Sequence, residues 1–306
     1  MMRGFPKDRM IEHLAVALGF AFLAFAVVLN HRDLKSAVIV SAATGILLYL
    51  IFIEKYVRRA IHLRQPFPES WRSVLEQKVT FYKKLSFEDR TVFERDVQIF
   101  LTEQRIFGIR GQPVSDEIRV LIAASAAILG FGLVDWEWPN LRDILVYPTG
   151  FDEEYLSDQS QHLKGMVHHQ GPIIFSEEDL TLGFHRSGSG YNVGLHEMAH
   201  VLDMADGHAD GVPTGMSWFA TAPWVRVMAD RIQKVRRGEC RKILREYAGV
   251  NEAEFFAVAV EVFFERPEEL HRKDAELFDL LLSYFKVDPR QPGLFSPGSM
   301  STLPRR

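Results

Sequence analysis

Two stretches near the N-terminus carry apolar residues without interruption, and the rest of the chain spaces them with charge. Residues 14–29 (LAVALGFAFLAFAVVL) contain no polar side chain, and residues 37–53 (AVIVSAATGILLYLIFI) contain only Ser41, Thr44 and Tyr49 as mildly polar ones. Each run is slightly shorter than the roughly 20 residues a spanning helix needs, but Ile11 and the long side chains of Lys35 and Lys55 extend its reach. The pattern predicts a transmembrane hairpin over residues 1–60, with spans at about 14–29 and 37–53, anchored in a lipid bilayer. A cleaved signal peptide would need one apolar core followed by a small-residue cleavage site, and the second run argues against it. Core helices of a soluble protein would show a polar stripe, and neither run does. Arg3, Lys7 and Arg9 precede the first span, Lys55, Arg58, Arg59 and Arg64 follow the second, and the connecting loop holds only Arg32 and Lys35. By the positive-inside rule both ends face the cytoplasm, which predicts a multi-pass protein of the inner (cytoplasmic) membrane whose main domain is cytoplasmic.

Residues 61–70, with QPFPE at 65–69, read as a linker because two prolines interrupt the pattern. Helical periodicity then runs through 71–85 and 87–104, the second opening on the capping sequence Ser86-Phe87-Glu88-Asp89. Residues 117–129 are apolar almost all round and predict a buried helix, too short for a third span. Short β-rich runs at 144–147 (ILVY) and 172–175 (PIIF) predict strands. Further helices are expected at 191–204, 224–236, 252–264 and 274–285. A mostly helical α+β domain over 71–292 and a flexible tail over 293–306 complete the organisation.

Charge and cysteine use narrow the function. A net charge of −4 over 306 residues gives no basic footprint for nucleic acid. The single cysteine, Cys240, excludes an intramolecular disulfide and a thiolate-rich zinc finger, and fits a reducing compartment.

The chemistry is carried by His196-Glu197-Met198-Ala199-His200. On a helix the two histidines lie one above the other and can grip one ion. Glu197 projects about 100° round from His196, beside the metal and free to act as a general base. A glycine-rich stretch before the segment, the stripe Leu195, Ala199 and Leu202, and Asp206-Gly207 after it all support the helix. Asp203 falls on the histidine face, where it can accept a hydrogen bond from an imidazole or a neighbouring group. A catalytic zinc site takes three protein ligands. Residues 251–264 (NEAEFFAVAVEVFF) offer Glu252, Glu254 and Glu261 in an otherwise apolar helix. Glu254 and Glu261 share a face, and a buried carboxylate needs a partner, but periodicity does not choose among the three.

These residues resemble the MtfA-like zinc peptidases, the Mlc titration factor A family within the gluzincins. The resemblance rests on HEMAHVLDMADGHADGVP at 196–213, QGPIIF at 170–175, ILVYP at 144–148 and NEAEFFAVAVEVFFERPEEL at 251–270, and runs from about 71 to 292. It implies a zincin-like domain with a small β-sheet and one Zn²⁺ per chain held by His196, His200 and Glu254. Glu197 would be the base, Tyr247 would stabilise the oxyanion, and Glu261 would support a ligand. The substrate would be a peptide or protein; from the position of the 170–175 run just before the metal helix, we expect it to be the edge strand against which an extended substrate lies, at Gly171, Pro172 and Ile173. Family members are associated with a glucose-responsive repressor, so a regulatory protein partner is also implied. The hairpin has no counterpart in the soluble members, which points to a membrane-tethered variant.

Overall fold

A computed structural model describes Phe5 and residues 7–133, 136–138, 141, 143–148, 173–239, 243–291 and 293. The chain divides into two compact units, Met1–Pro66 and Phe67–Arg306.

In the first unit, α1 (Lys7–His31) and α2 (Leu34–His62) form an antiparallel pair, with Asp33 capping α2 by accepting from the Ser36 amide. Both are long and apolar enough to cross a membrane. Small residues lie where the helices meet: Ala17, Ala21 and Ala37 are buried, Ser41 Oγ donates to the Ala21 carbonyl at 2.8 Å, and Gly45 lies against Ala21. The large side chains, among them Leu18, Phe22, Ile46 and Leu47, face outward.

The second unit is mostly helical with a small parallel sheet. Its first helical stretch is two elements, α3 (Glu69–Lys78) and α4 (Thr80–Lys83), because the buried Val79 takes an extended conformation between them. Helix α5 (Phe87–Glu103) starts where the capping sequence requires, Ser86 accepting from the Asp89 amide. Strand β1 (Arg105–Gly108) follows at once, a four-residue element that the periodicity did not announce. It pairs in parallel with β2 (Asp143–Tyr147), and β2 pairs in parallel with β3 (Ile173–Ser176), which is an outer strand among the described residues. Between β1 and β2 lies α6 (Asp116–Gly130), buried from Val120 to Leu129, as its unbroken apolar composition demands.

Helix α7 (Glu177–His185) leads from β3 toward α8 (Val193–Asp203), which packs between α6 and α10 (Glu252–Glu265). Helix α9 (Trp218–Arg236) starts six residues before its periodic stripe: the Ala220 and Thr221 amides bond the Ser217 carbonyl, and Pro223 is accommodated within the first turns. Helices α11 (Pro267–Lys273) and α12 (Ala275–Phe285) close the domain against an aromatic cluster of Phe263, Phe264, Phe278 and Phe285.

The close seating of α8 depends on Gly194. A Cβ there would collide with Ser125 Oγ of α6 and crowd Leu180 Cδ1 of α7, and Ser125 is fully buried. Gly194→Ala should therefore destabilise the protein by about 1–3 kcal/mol through overpacking. A thermal melt within 1 °C of the native chain would show that α8 has room the structure does not reveal.

Candidate metal centre

Helix α8 is built for position before chemistry. Asn192 caps it, its side chain accepting from the Leu195 amide at 3.2 Å, and the Asn192 amide donates to Glu261 Oε2 at 2.7 Å. The helix start is thereby tied to α10. One turn on, His196 presents two nitrogens to two carboxylates of that same helix: Nδ1 lies 2.7 Å from Glu261 Oε1 and Nε2 lies 3.1 Å from Glu254 Oε2. Glu254 and Glu261 are seven residues apart, so two helical turns bring both to one imidazole.

His200 completes the cluster. Its Nε2 is 3.2 Å from His196 Nε2 and 3.4 Å from Glu254 Oε2, with the two rings nearly perpendicular. The ligand atoms of His196, His200 and Glu254 all lie within 4.8 Å of one another, a group that could hold a metal ion. The donor set fits one on chemical grounds. With the His196 proton on Nδ1 toward Glu261, two imidazole Nε2 atoms and one carboxylate oxygen would offer three lone pairs to one place, a set that suits a cation. Burial opposes charge on His196, but in the absence of an ion the hydrogen-bonding carboxylates outweigh it and raise its pKa to about 10, so that a second proton, on Nε2 toward Glu254, takes the cation's part. Against the same opposing burial, contacts with His196 and His200 hold the Glu254 carboxyl well below the usual carboxylate range.

Around this group, Tyr247 in the short 3₁₀ turn Glu246–Gly249 donates its hydroxyl to Glu254 Oε1 at 3.1 Å. Burial and the Glu254 charge push the phenol pKa up, so the hydroxyl keeps its proton at neutral pH. Glu197 is half-buried on α8; its charge is felt by His196 and Tyr247, and no described residue hydrogen-bonds its carboxylate. Glu252 is exposed and stands outside the cluster. Asp203 is fully buried, and its Oδ2 accepts from the Gly211 amide at 3.1 Å rather than from an imidazole, closing the loop that follows α8. That loop is also pinned by Trp224 Nε1 on the Gly211 carbonyl and the Tyr284 hydroxyl on the Thr214 carbonyl. Ile173 opens β3, half-buried. Gly171 and Pro172, like His168, His169 and Cys240, lie outside the described residues.

Two side chains near the metal group were not flagged by the sequence. Arg245 pairs with Glu261, and Tyr191 lies against the Arg245 guanidinium, 4.8 Å from its ring centroid to the guanidinium carbon. One arginine in RKILREY carries no periodic or motif signal that separates it from its neighbours.

Fold and site together define a mostly helical domain with a small parallel sheet and a His-His-Glu group that could hold a metal ion. The family model described as glucose-regulated metallo-peptidase M90 matches residues 53–286, and the chain belongs to this family. It is 28% identical over 270 residues to an uncharacterised protein of Synechocystis, covering 84% of this chain and 98% of that protein. It is also similar to Mlc titration factor A of Cronobacter sakazakii, 27% identical over 252 residues, covering 77% of this chain and 92% of that one. With Mlc titration factor A of Salmonella arizonae the identity is 31% over 211 residues, covering 63% and 81%. The chain is thus an MtfA-like family member with a metallopeptidase-type site.

Asp203 gives the site a pH signature in stability. Burial raises its carboxyl from an ordinary 3.8 to about 7. Between those values the folded chain holds a proton that the unfolded chain has lost, so this contribution to stability falls as pH rises and is gone above about 7. Urea unfolding at pH 5 and pH 8 should show Asp203→Asn losing roughly 2–3 kcal/mol less over this interval than the native chain. Equal losses in both proteins would mean that Asp203 is ionised throughout.

Proposed function

We propose that this protein is a membrane-anchored zinc peptidase that hydrolyses peptide bonds with His196, His200 and Glu254 as metal ligands and Glu197 as general base. The observation that carries the reading is the convergence of the three ligand atoms beside a half-buried carboxylate, Glu197, that no described residue hydrogen-bonds. A bound zinc ion supplies Lewis acidity there, acidifying water and polarising a carbonyl. Glu197 takes the proton of the attacking water and passes it to the leaving amine, which must depart protonated. The Tyr247 hydroxyl, protonated at neutral pH and beside the ligand cluster, is the donor available for negative charge developing on the carbonyl oxygen. Glu261 and the Asn192 amide keep the His196 ring fixed, with its Nε2 lone pair toward the metal position. An extended peptide would lie along the outer strand β3 near Ile173, by backbone hydrogen bonding.

Glu197→Gln should abolish cleavage of fluorescein-labelled casein while zinc, measured by atomic absorption, stays near one per chain. Glu254→Gln should lower retained zinc as well as activity, since it removes an anionic ligand. Cleavage that survives Glu197→Gln would end the peptidase reading. A second reading, a zinc-binding regulator with little turnover, draws support from relatives named for titrating Mlc. It predicts a native chain that holds zinc yet cleaves nothing, and under it a general base at Glu197 has no purpose.

The domain order in this proposal is a hairpin over 1–60, a linker over 61–70, the peptidase domain over 71–292 and a tail over 293–306, with the domain in the cytoplasm. The hairpin's large apolar side chains face outward while Ala17, Ala21 and Ala37 are buried between the helices, the reverse of a water-soluble helix pair, and lipid is the solvent that suits it. In cells, the full chain should stay with the membrane pellet after a carbonate wash, and a chain lacking residues 1–60 should move to the supernatant. Release of the full chain by carbonate would exclude a spanning hairpin.

A further inference from the structure

The geometry points to Arg245 as a positioning residue that locks the His196 ligand and the Tyr247 phenol into one unit, an inference that rests on the peptidase reading above. The guanidinium meets four groups of the site. Its Nη2 pairs with Glu261 Oε1 and lies 3.2 Å from His196 Nδ1, and its central carbon lies 4.8 Å from the Tyr191 ring centroid and 5.7 Å from that of Tyr247.

Each contact does something the metal ligands cannot do alone. Glu261 is 0% exposed, and among the described residues Arg245 is the only arginine or lysine paired with it. Without the guanidinium the buried Glu261 carboxylate would depend on the imidazole alone, and the side chains around it would rearrange. With Arg245 on Oε1 and the Asn192 amide on Oε2, the carboxylate is held at both oxygens, and so is the direction in which His196 Nδ1 must point. The second function needs a plane. The guanidinium lies over both tyrosine rings and holds that of Tyr247 by cation–π contact, and that ring orientation sets its hydroxyl toward Glu254. Lysine can supply the charge but not the flat face, so the two roles are separable by substitution.

The test uses the full chain in detergent, native and as Arg245→Met and Arg245→Lys, with three readouts: zinc affinity by competition with a chromogenic chelator, kcat and KM on fluorescein-labelled casein, and the thermal melt. Arg245→Met should weaken zinc binding about 10- to 100-fold and lower kcat. Arg245→Lys should bring zinc affinity back to within a few-fold of native while kcat stays about tenfold down at near-native KM. Native zinc affinity and kcat in a folded Arg245→Met protein would overturn the inference, and so would a lysine variant that matches the native chain in both. Should the methionine variant fail to fold, the lysine variant decides alone, by whether kcat falls while zinc is retained. A native chain that binds zinc and cleaves nothing removes the peptidase reading and the kcat arm, and leaves the zinc affinities of the variants to decide whether Arg245 positions His196.

Discussion

One imidazole held at both nitrogens by carboxylates of a single helix is the constraint from which the rest of this domain follows. His196 can meet Glu254 and Glu261 together only if α10 runs past it with those two residues on the facing side, two turns apart, and at hydrogen-bonding distance. That distance requires α8 to sit deep between apolar helices. The chain meets the requirement with Gly194, which lets α8 approach Ser125, and with long buried runs on α6 and α10 that leave no alternative face to present. The helix cap belongs to the same arrangement, since Asn192 terminates α8 with its side chain and reports to Glu261 with its backbone.

The electrostatics follow from this packing. Carboxylates are placed where burial would ordinarily keep them out, and each is given a definite counterpart: the two histidines for Glu254, His196 and Arg245 for Glu261. The group left over is Glu197, whose position on α8 puts it beside the cluster without a hydrogen-bonding partner among the described residues. A carboxylate that is partly buried, near His196 and without a hydrogen bond among the described residues is free to exchange a proton, which is the part the proposed function gives it.

How far this could be read from sequence depended on whether a residue's role was local or distant. The H-E-x-x-H spacing is local, and so are the Ser86 and Asn192 caps and the unbroken apolar run of α6; each predicted its element to within a residue or two. The third ligand was not local. Glu252, Glu254 and Glu261 were equivalent by periodicity, and only the family resemblance singled out Glu254; the structure shows Glu252 turned to solvent while the other two reach His196. Arg245 was invisible because its meaning comes from residues 16 positions later on α10 and 49 earlier on α8. Strand β1 was missed for a related reason: four residues directly behind a helix have no period of their own and are made a strand by β2, some 40 residues away.

The hairpin poses the opposite case, in which composition and not a motif carries the reading. In water, a helix pair that buries Ala17, Ala21 and Ala37 and exposes leucines, isoleucines and phenylalanines would have its apolar surface on the wrong side. In a bilayer the large side chains lose nothing by facing lipid, and the helices gain from close approach along small residues and from the Ser41 hydroxyl on the Ala21 carbonyl. Ala37, Ser41 and Gly45 recur every four residues, so the small stripe stays on one face along that stretch of α2. The stripe therefore gives α2 a face on which α1 can pack closely, and the pairing of the two helices there rests on small residues and one hydroxyl, not on large apolar side chains.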